Sequence, residues 1–277
     1  MRAALVQLNS SDDPAENLPT TQAFIASAAE NGARFILTPE VTNCVSASRT
    51  RQSQVLQTEQ ADITLAALRQ QAADLNIWLL IGSLALKTDD PDGRFANRSF
   101  LIGPDGAVAA WYDKIHMFDV QVSAKETYRE SAGYRPGTRS VLAQAEFGKV
   151  GLTVCYDVRF PHLYRQLAQA GAQILTVPSA FSPVTGAAHW GVLLRARAIE
   201  TGCYILAPAQ TGAHHAVRGK QRKTYGHSMA IGPWGDVLAD AGTEPGVIYI
   251  DLDLSEVSQA RQRIPSLFAT PDYGNPK

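Results

Sequence analysis

The chain has 277 residues, 45% of them hydrophobic and 18% charged, the composition of a globular protein with a large core. Its 25 Lys and Arg against 26 Asp and Glu leave a formal net charge of −1, so no overall field draws it to nucleic acid or to an anionic membrane. Three cysteines without a CxxC pair or a His at ligand spacing argue against a disulfide frame or a zinc site. No apolar run reaches the roughly 18 residues that cross a bilayer.

A cytoplasmic location is expected, with no metal and no cofactor. The amino-terminal Met1-Arg-Ala-Ala-Leu-Val-Gln-Leu-Asn9 is too short in its apolar part for a secretory signal and reads as a strand over Ala3 to Leu8. Asn17 to Glu30 has helical spacing ended by Asn31-Gly32, and Arg34 to Thr38 is a second strand stopped by Pro39. Ala61 to Leu75 places Leu65, Leu68, Ala72 and Leu75 on one helical stripe. Trp78 to Gly82 returns as a strand. Arg98 to Ile102 and Ala107 to Tyr112 flank the turn Gly103-Pro-Asp-Gly106 as a hairpin.

The second half repeats this order. Val150 to Val154 is a strand, Pro161 to Ala170 a helix, and Ile174 to Val177 a strand ended by Pro178. His189 to Thr201 is a helix, Tyr204 to Ala207 a strand, and Gly232-Pro-Trp-Gly235 the turn of a second hairpin. Ser99 to Val108 and Ser228 to Val237 share Ile-Gly-Pro-x-Gly. A half of this size cannot bury both faces of its own sheet. We therefore expect an α/β protein built as one domain over 1–277: a four-layer α-β-β-α sandwich of two stacked mixed sheets with an internal pseudo-repeat.

Three residues carry chemistry on this plan. Cys155 ends a buried strand, at the edge where α/β sheets form crevices. Glu40 follows the second strand, and Lys114 follows the first hairpin. A thiol attacks as its thiolate, and a carboxylate beside it can take its proton and hand it to a leaving amine. An ammonium, with the backbone N–H of Tyr156, supplies the positive charge that an attacked carbonyl needs.

The segments Thr38-Pro-Glu40, Lys114-Ile-His-Met-Phe-Asp119 and Gly151-Leu-Thr-Val-Cys-Tyr-Asp-Val-Arg-Phe-Pro161 resemble the three signatures of the nitrilase, or carbon-nitrogen hydrolase, superfamily, and the likeness runs from Ala3 to about Tyr273. It implies the α-β-β-α fold, a homodimer, Cys155 as the acylated nucleophile, Glu40 as general base and Lys114 as stabiliser of the tetrahedral intermediate. It also implies a second glutamate between the lysine and the cysteine. Glu130, ahead of Arg135-Pro-Gly137, matches that pattern better than Glu126.

Within the superfamily, Leu175 to Phe181, Ala188-His-Trp190, Leu193 to Thr201, His214-His215 and Tyr225 to Met229 are most similar to the deaminated glutathione amidases, which release a 2-oxo diacid and cysteinylglycine. The partner implied is a small-molecule amide bearing carboxylates. The basic run Arg218, Lys220, Arg222, Lys223 with His214 and His215 then reads as the mouth. Asn43 and Phe181 are expected to line the pocket. Arg159, Arg195 and Arg197 could hold a carboxylate or lock Asp157 or Glu200, with the locking role preferred for the last two. The rival activity is an omega-amidase on 2-oxoglutaramate, and the rival of another class is an inactive binding module on the same fold. A nitrile hydrolase fits less well, since Tyr-Asp and not Trp-Glu follows Cys155.

Overall fold

The structure is a computed structural model that describes residues 1–123 and 126–269. The first half runs β1 (Arg2–Gln7), α1 (Pro14–Glu30), β2 (Phe35–Leu37), α2 (Arg49–Val55), α3 (Ile63–Leu75), β3 (Trp78–Leu86), β4 (Ala96–Ile102) and β5 (Val108–Asp113). A small hairpin, β6 (Asp119–Ser123) and β7 (Glu126–Arg129), follows. The second half runs β8 (Val141–Ala145), β9 (Gly148–Leu152), α4 (Pro161–Gln169), β10 (Ile174–Thr176), α5 (Pro183–Thr201), β11 (Tyr204–Ala207), the pair β12 (Thr211–Ala213) and β13 (Lys223–Tyr225), then β14 (Met229–Ile231), β15 (Val237–Asp240), β16 (Gly246–Asp251) and α6 (Ser255–Arg263).

The two large sheets have the same strand order, β16-β1-β2-β3-β4-β5 and β8-β9-β10-β11-β14-β15, each with a parallel centre and antiparallel outer strands. The repeat seen in the sequence is therefore structural. Its register is close, since Pro39 and Pro178 each stand two residues past the end of the second parallel strand, β2 or β10. The antiparallel strand beside each first parallel strand, β16 or β8, was not foreseen from the sequence.

Both faces of the first sheet are buried, and the two-residue side-chain period sorts them. Ala3, Leu5, Phe35 and Leu37 pack in one cluster with Val150, Leu152, Ile174 and Leu206 of the other sheet. Their neighbours Ala4, Val6, Ile36, Leu79 and Ile81 pack instead against Ile25 and Ala28 of α1 and Leu65, Leu68 and Ala72 of α3. This gives the four layers.

Caps and prolines, and not apolar spacing, set the helix starts. Asp13 accepts the Ala15 N–H at 2.9 Å, so α1 begins at Pro14, and Asp62 accepts the Leu65 N–H at 2.8 Å. α5 likewise begins at Pro183, six residues before the expected His189. Between β5 and β8 the β6–β7 hairpin is followed by a helical turn over Glu130–Ala132. Among the described residues, no helix is long and apolar enough to cross a membrane. The last part of the domain expected over 1–277 lies outside the described residues from 270 onward.

One close approach joins the halves beside the strand ends. A Cβ on Gly82 would lie 2.0 Å from Thr38 O, 2.5 Å from Pro178 Cβ and 2.6 Å from Pro39 O. Gly82→Ala should therefore push apart the segments that lead to Glu40 and follow β10, costing about 1–3 kcal/mol in urea unfolding together with most of the activity. Wild-type stability in that variant would show that the segments can part freely.

Candidate active site

The turn carrying Cys155 is strained and held in place. β9 stops at Leu152, two residues before the expected end, because the Val154 N–H goes to the Asp157 carboxylate at 2.8 Å and leaves the strand ladder. Cys155 itself sits in the left-handed region at φ 51°, a conformation that costs a non-glycine residue about 1–3 kcal/mol unless its surroundings impose it. They do so here. The Cys155 N–H donates to Pro178 O at 2.9 Å. Asp157 is fully buried, accepts the Tyr112 hydroxyl at 2.8 Å and the His116 N–H at 3.1 Å, and meets His116 Nδ1 at 2.6 Å. One carboxylate thus ties the cysteine turn to the segment just after Lys114.

Glu40, only 5% exposed, stands three residues past β2. Its Oε1 accepts Lys114 Nζ at 2.9 Å and Asn97 Nδ2 at 2.9 Å, its Oε2 accepts the Ala180 N–H at 2.8 Å, and the Cys155 thiol lies beside it. Lys114, 2% exposed, follows β5 and donates its own N–H to Asn97 O at 3.0 Å. Its ammonium also donates to Glu130 Oε2 at 2.8 Å and Oε1 at 2.9 Å. Glu130 is fixed in turn by the Phe118 N–H at 2.6 Å. Glu126 takes a different place, accepting the Tyr128 and Ser182 hydroxyls. Cys155, Glu40, Lys114 and Glu130 therefore form one chain of contacts, and Glu130 is the glutamate on the ammonium.

The charges follow from burial and from each other. Burial alone would raise the Glu40 carboxyl, but the Lys114 charge and the hydrogen bonds from Lys114, Cys155 and Asn97 hold it below the usual carboxylate range. Burial disfavours the Lys114 ammonium, yet Glu130 and Glu40 together hold it well above the usual range. Burial first, and then the Glu40 charge, push the Cys155 thiol up against the pull of Lys114. The resting site is a neutral thiol against a carboxylate–ammonium–carboxylate row. The Tyr156 N–H lies in the first turn of a short helical segment, where N–H groups lack intrahelical partners.

A cavity of about 590 Å³ opens onto this row. Phe181 lines it, as do Lys220, Arg222 and Lys223 of the basic run, while Arg218 does not. Several sequence expectations need correction here. Asn43 is fully buried away from the cavity, its amide bonded to the N–H and C=O of Ala85 at 2.9 and 3.0 Å. His214 is also fully buried. Both of its ring nitrogens are engaged, with Ser10 O at 2.8 Å and Thr224 Oγ1 at 2.7 Å, and burial lowers its pKa to about 4, so it is neutral at pH 7. His215 is exposed outside the cavity, and Arg159 turns aside to His189 Nδ1 at 3.3 Å with its guanidinium over the Phe181 ring. Arg197 donates to Val158 O and Glu200 Oε1, and Arg195 to Gly235 O, so both lock structure. Asp157 is held by Tyr112 and His116, and among the described residues no arginine pairs with it.

Sequence reading missed Asn97, which donates to Glu40 and also reaches Glu130 at 3.4 Å. The amide side chain near the start of β4, ahead of the apolar run Phe100 to Ile102, was the available signal, since buried polar groups persist where they have partners.

A carbon-nitrogen hydrolase family model matches residues 2–262. A relative from Synechocystis sp., named deaminated glutathione amidase, is 40% identical over 267 residues, 96% of this chain and 96% of its own. The crystal structure of the C. elegans NitFhit protein matches with a TM-score of 0.87 and 36% identity over 95% of this chain, which spans 63% of that longer one. A glutamate-to-glutamine mutant of the amidase from Nesterenkonia sp. AN1, solved with the acetamide moiety of fluoroacetamide added covalently at its active site cysteine, matches with a TM-score of 0.77 and 29% identity, over 95% of this chain and 94% of that one. The chain belongs to the carbon-nitrogen hydrolase family. Within it, the chain is an amidase of the nitrilase superfamily.

Proposed function

We propose that the amidase works through a thioester on Cys155, with Glu40 as its proton carrier. The observation that carries this reading is the single Glu40 carboxylate that stands beside the thiol and is bonded to the Lys114 ammonium. As the sulfur attacks the amide carbon, its proton passes to Glu40, and the oxyanion forms against Lys114 Nζ and the Tyr156 N–H. Glu40 then gives that proton to the nitrogen as the C–N bond breaks, and the amine leaves. A water, deprotonated by Glu40 and aligned by Glu130, attacks the thioester. Collapse of the second oxyanion returns the thiol and the acid.

The substrate we propose is deaminated glutathione, cleaved to a 2-oxo diacid and cysteinylglycine. The name of the Synechocystis relative supports this, as does the basic wall of Lys220, Arg222 and Lys223 facing a substrate rich in carboxylates. The omega-amidase reaction on 2-oxoglutaramate shares every catalytic group and is the second reading. Steady-state hydrolysis of both compounds, with Cys155→Ala as the blank, separates them. Deaminated glutathione should give the higher kcat/KM, and Cys155→Ala should lose about 10⁴-fold or more on either. Preferential release of ammonia from 2-oxoglutaramate would reverse the substrate assignment and leave the chemistry intact. A homodimer in the cytoplasm belongs to the same proposal on the strength of the family likeness, and sedimentation showing monomer alone would remove the dimer.

A further inference from the structure

The peptide bond that follows Glu40 is held at both ends by buried side chains, and the residue beyond it is strained. Val41 stands in the left-handed region at φ 47°. For a β-branched residue that conformation is an outlier, kept only where the surroundings impose it. Val41 lines the cavity and is buried in one cluster with Cys44, Val45 and Ala180.

What imposes the strain comes from β3. The pairing of β3 with β4 shifts between Ile81 and Leu84, so Gly82 and Ser83 stand opposite Ser99 alone. A bulge of this kind redirects a side chain, and bulges are frequent beside active sites. Here the Ser83 hydroxyl accepts the Val41 N–H at 2.8 Å. The Ser83 backbone pins the same loop, its N–H donating to Pro39 O at 3.2 Å and its C=O accepting the Thr42 N–H at 2.9 Å. From the second half, Gln210 Nε2 donates to Glu40 O at 3.2 Å. Ser83 and Gln210 are both fully buried.

A peptide unit is planar, so one partner on its N–H and another on its C=O fix its orientation, and with it the Cα of Glu40. The Glu40 carboxylate has to meet Lys114, Asn97 and the Ala180 N–H together, at 2.9, 2.9 and 2.8 Å. Relaxation of φ at Val41 would turn the peptide and break that set. Without the Ser83 oxygen the Val41 N–H would be buried with no acceptor, and the strained turn would lose its anchor. Resting on the reading of Glu40 as proton carrier, we propose that Ser83 is a positioning residue, which holds Val41 in its left-handed turn and so aims the Glu40 carboxylate at the Cys155 thiol.

Kinetics on the full chain test this, after thermal melts show each variant folded. Ser83→Ala should lower kcat about 10- to 100-fold and leave KM within about 3-fold, because a fully buried hydroxyl does not touch substrate. An acid limb should enter its kcat/KM profile above about pH 5, since a Glu40 carboxyl whose donors have slackened is left to burial, which raises it. Ser83→Cys, close in size with a weaker acceptor, should fall between, and it carries the test if Ser83→Ala does not fold. The strain is read by a double variant. Glycine takes a left-handed φ freely, so in a Val41→Gly background Ser83→Ala should cost no more than about 3-fold. Equal costs in both backgrounds, an unchanged kcat, or a loss confined to KM would overturn the assignment. A Glu40→Gln enzyme as active as wild type would remove the proton-carrier reading and this one with it, whereas an inactive Glu40→Gln beside a Ser83→Ala enzyme at wild-type rates would remove this one alone.

Discussion

Glu40→Gln should lower kcat/KM about 10³-fold while leaving the protein folded. The variant keeps the shape of the side chain and removes the carboxylate beside the Cys155 thiol. Burial pushes that thiol up, so its attack depends on a base to take the proton, and alkylation by a haloacetamide should slow with the same substitution even though the Glu40 charge that also raises the thiol goes with it. A stability loss of about 1–3 kcal/mol should accompany it. Glu40 accepts from Lys114 and Asn97 on one oxygen and from Ala180 on the other, so an NH₂ group at either place faces a donor.

The pH dependence has a definite sign. Glu40 is held below the usual carboxylate range, so its contribution to stability is present above that range and disappears as pH falls through its lowered folded value. Lys114 is held above the usual ammonium range, so its contribution is complete below that range and is lost as pH rises through the raised value. Neither group should therefore impose a limb on kcat/KM between about pH 5 and 9. An acid limb centred near neutrality that vanishes in Glu40→Gln would show a carboxyl raised by burial, with the Lys114 charge too weak to offset its desolvation.

The second large effect is on folding. Lys114→Met leaves Glu40 and Glu130 facing each other in a buried site with their common cation gone, and removal of one partner from a buried ionic group costs about 3–5 kcal/mol. Urea unfolding at pH 7 should show a loss of that order. Part of it should return at lower pH, where one carboxyl takes up a proton, or on adding Glu130→Gln, which removes a charge. Activity should fall by a further 10²-fold or more than stability explains, since a donor to the oxyanion is lost. Unchanged stability at pH 7 would mean that water or backbone groups already satisfy the two acids.

Local patterns carried the broad outline because they are local physics. The apolar runs of β1 and β2 are continuous since both faces of a central parallel strand are buried, and the shared Ile-Gly-Pro-x-Gly marks the same hairpin in both halves. The edge strands β8 and β16 escaped notice although each carries a short apolar run, and helix starts were misjudged where Asp13, Asp62 or a proline outweighed apolar spacing.

By itself the sequence determined the order of the central strands and their helices, the doubling of that order, and the residue types that reach the strand ends at Glu40, Lys114 and Cys155. Tertiary structure alone decided which glutamate meets the ammonium, that Asn97 steadies both acids, that Asn43 and His214 spend their polar atoms on buried backbone and side-chain partners, and that Arg222 is left facing the cavity. The reason is that a polar side chain goes where its hydrogen bonds are met. Those partners come from segments distant in the chain, so no local pattern records them.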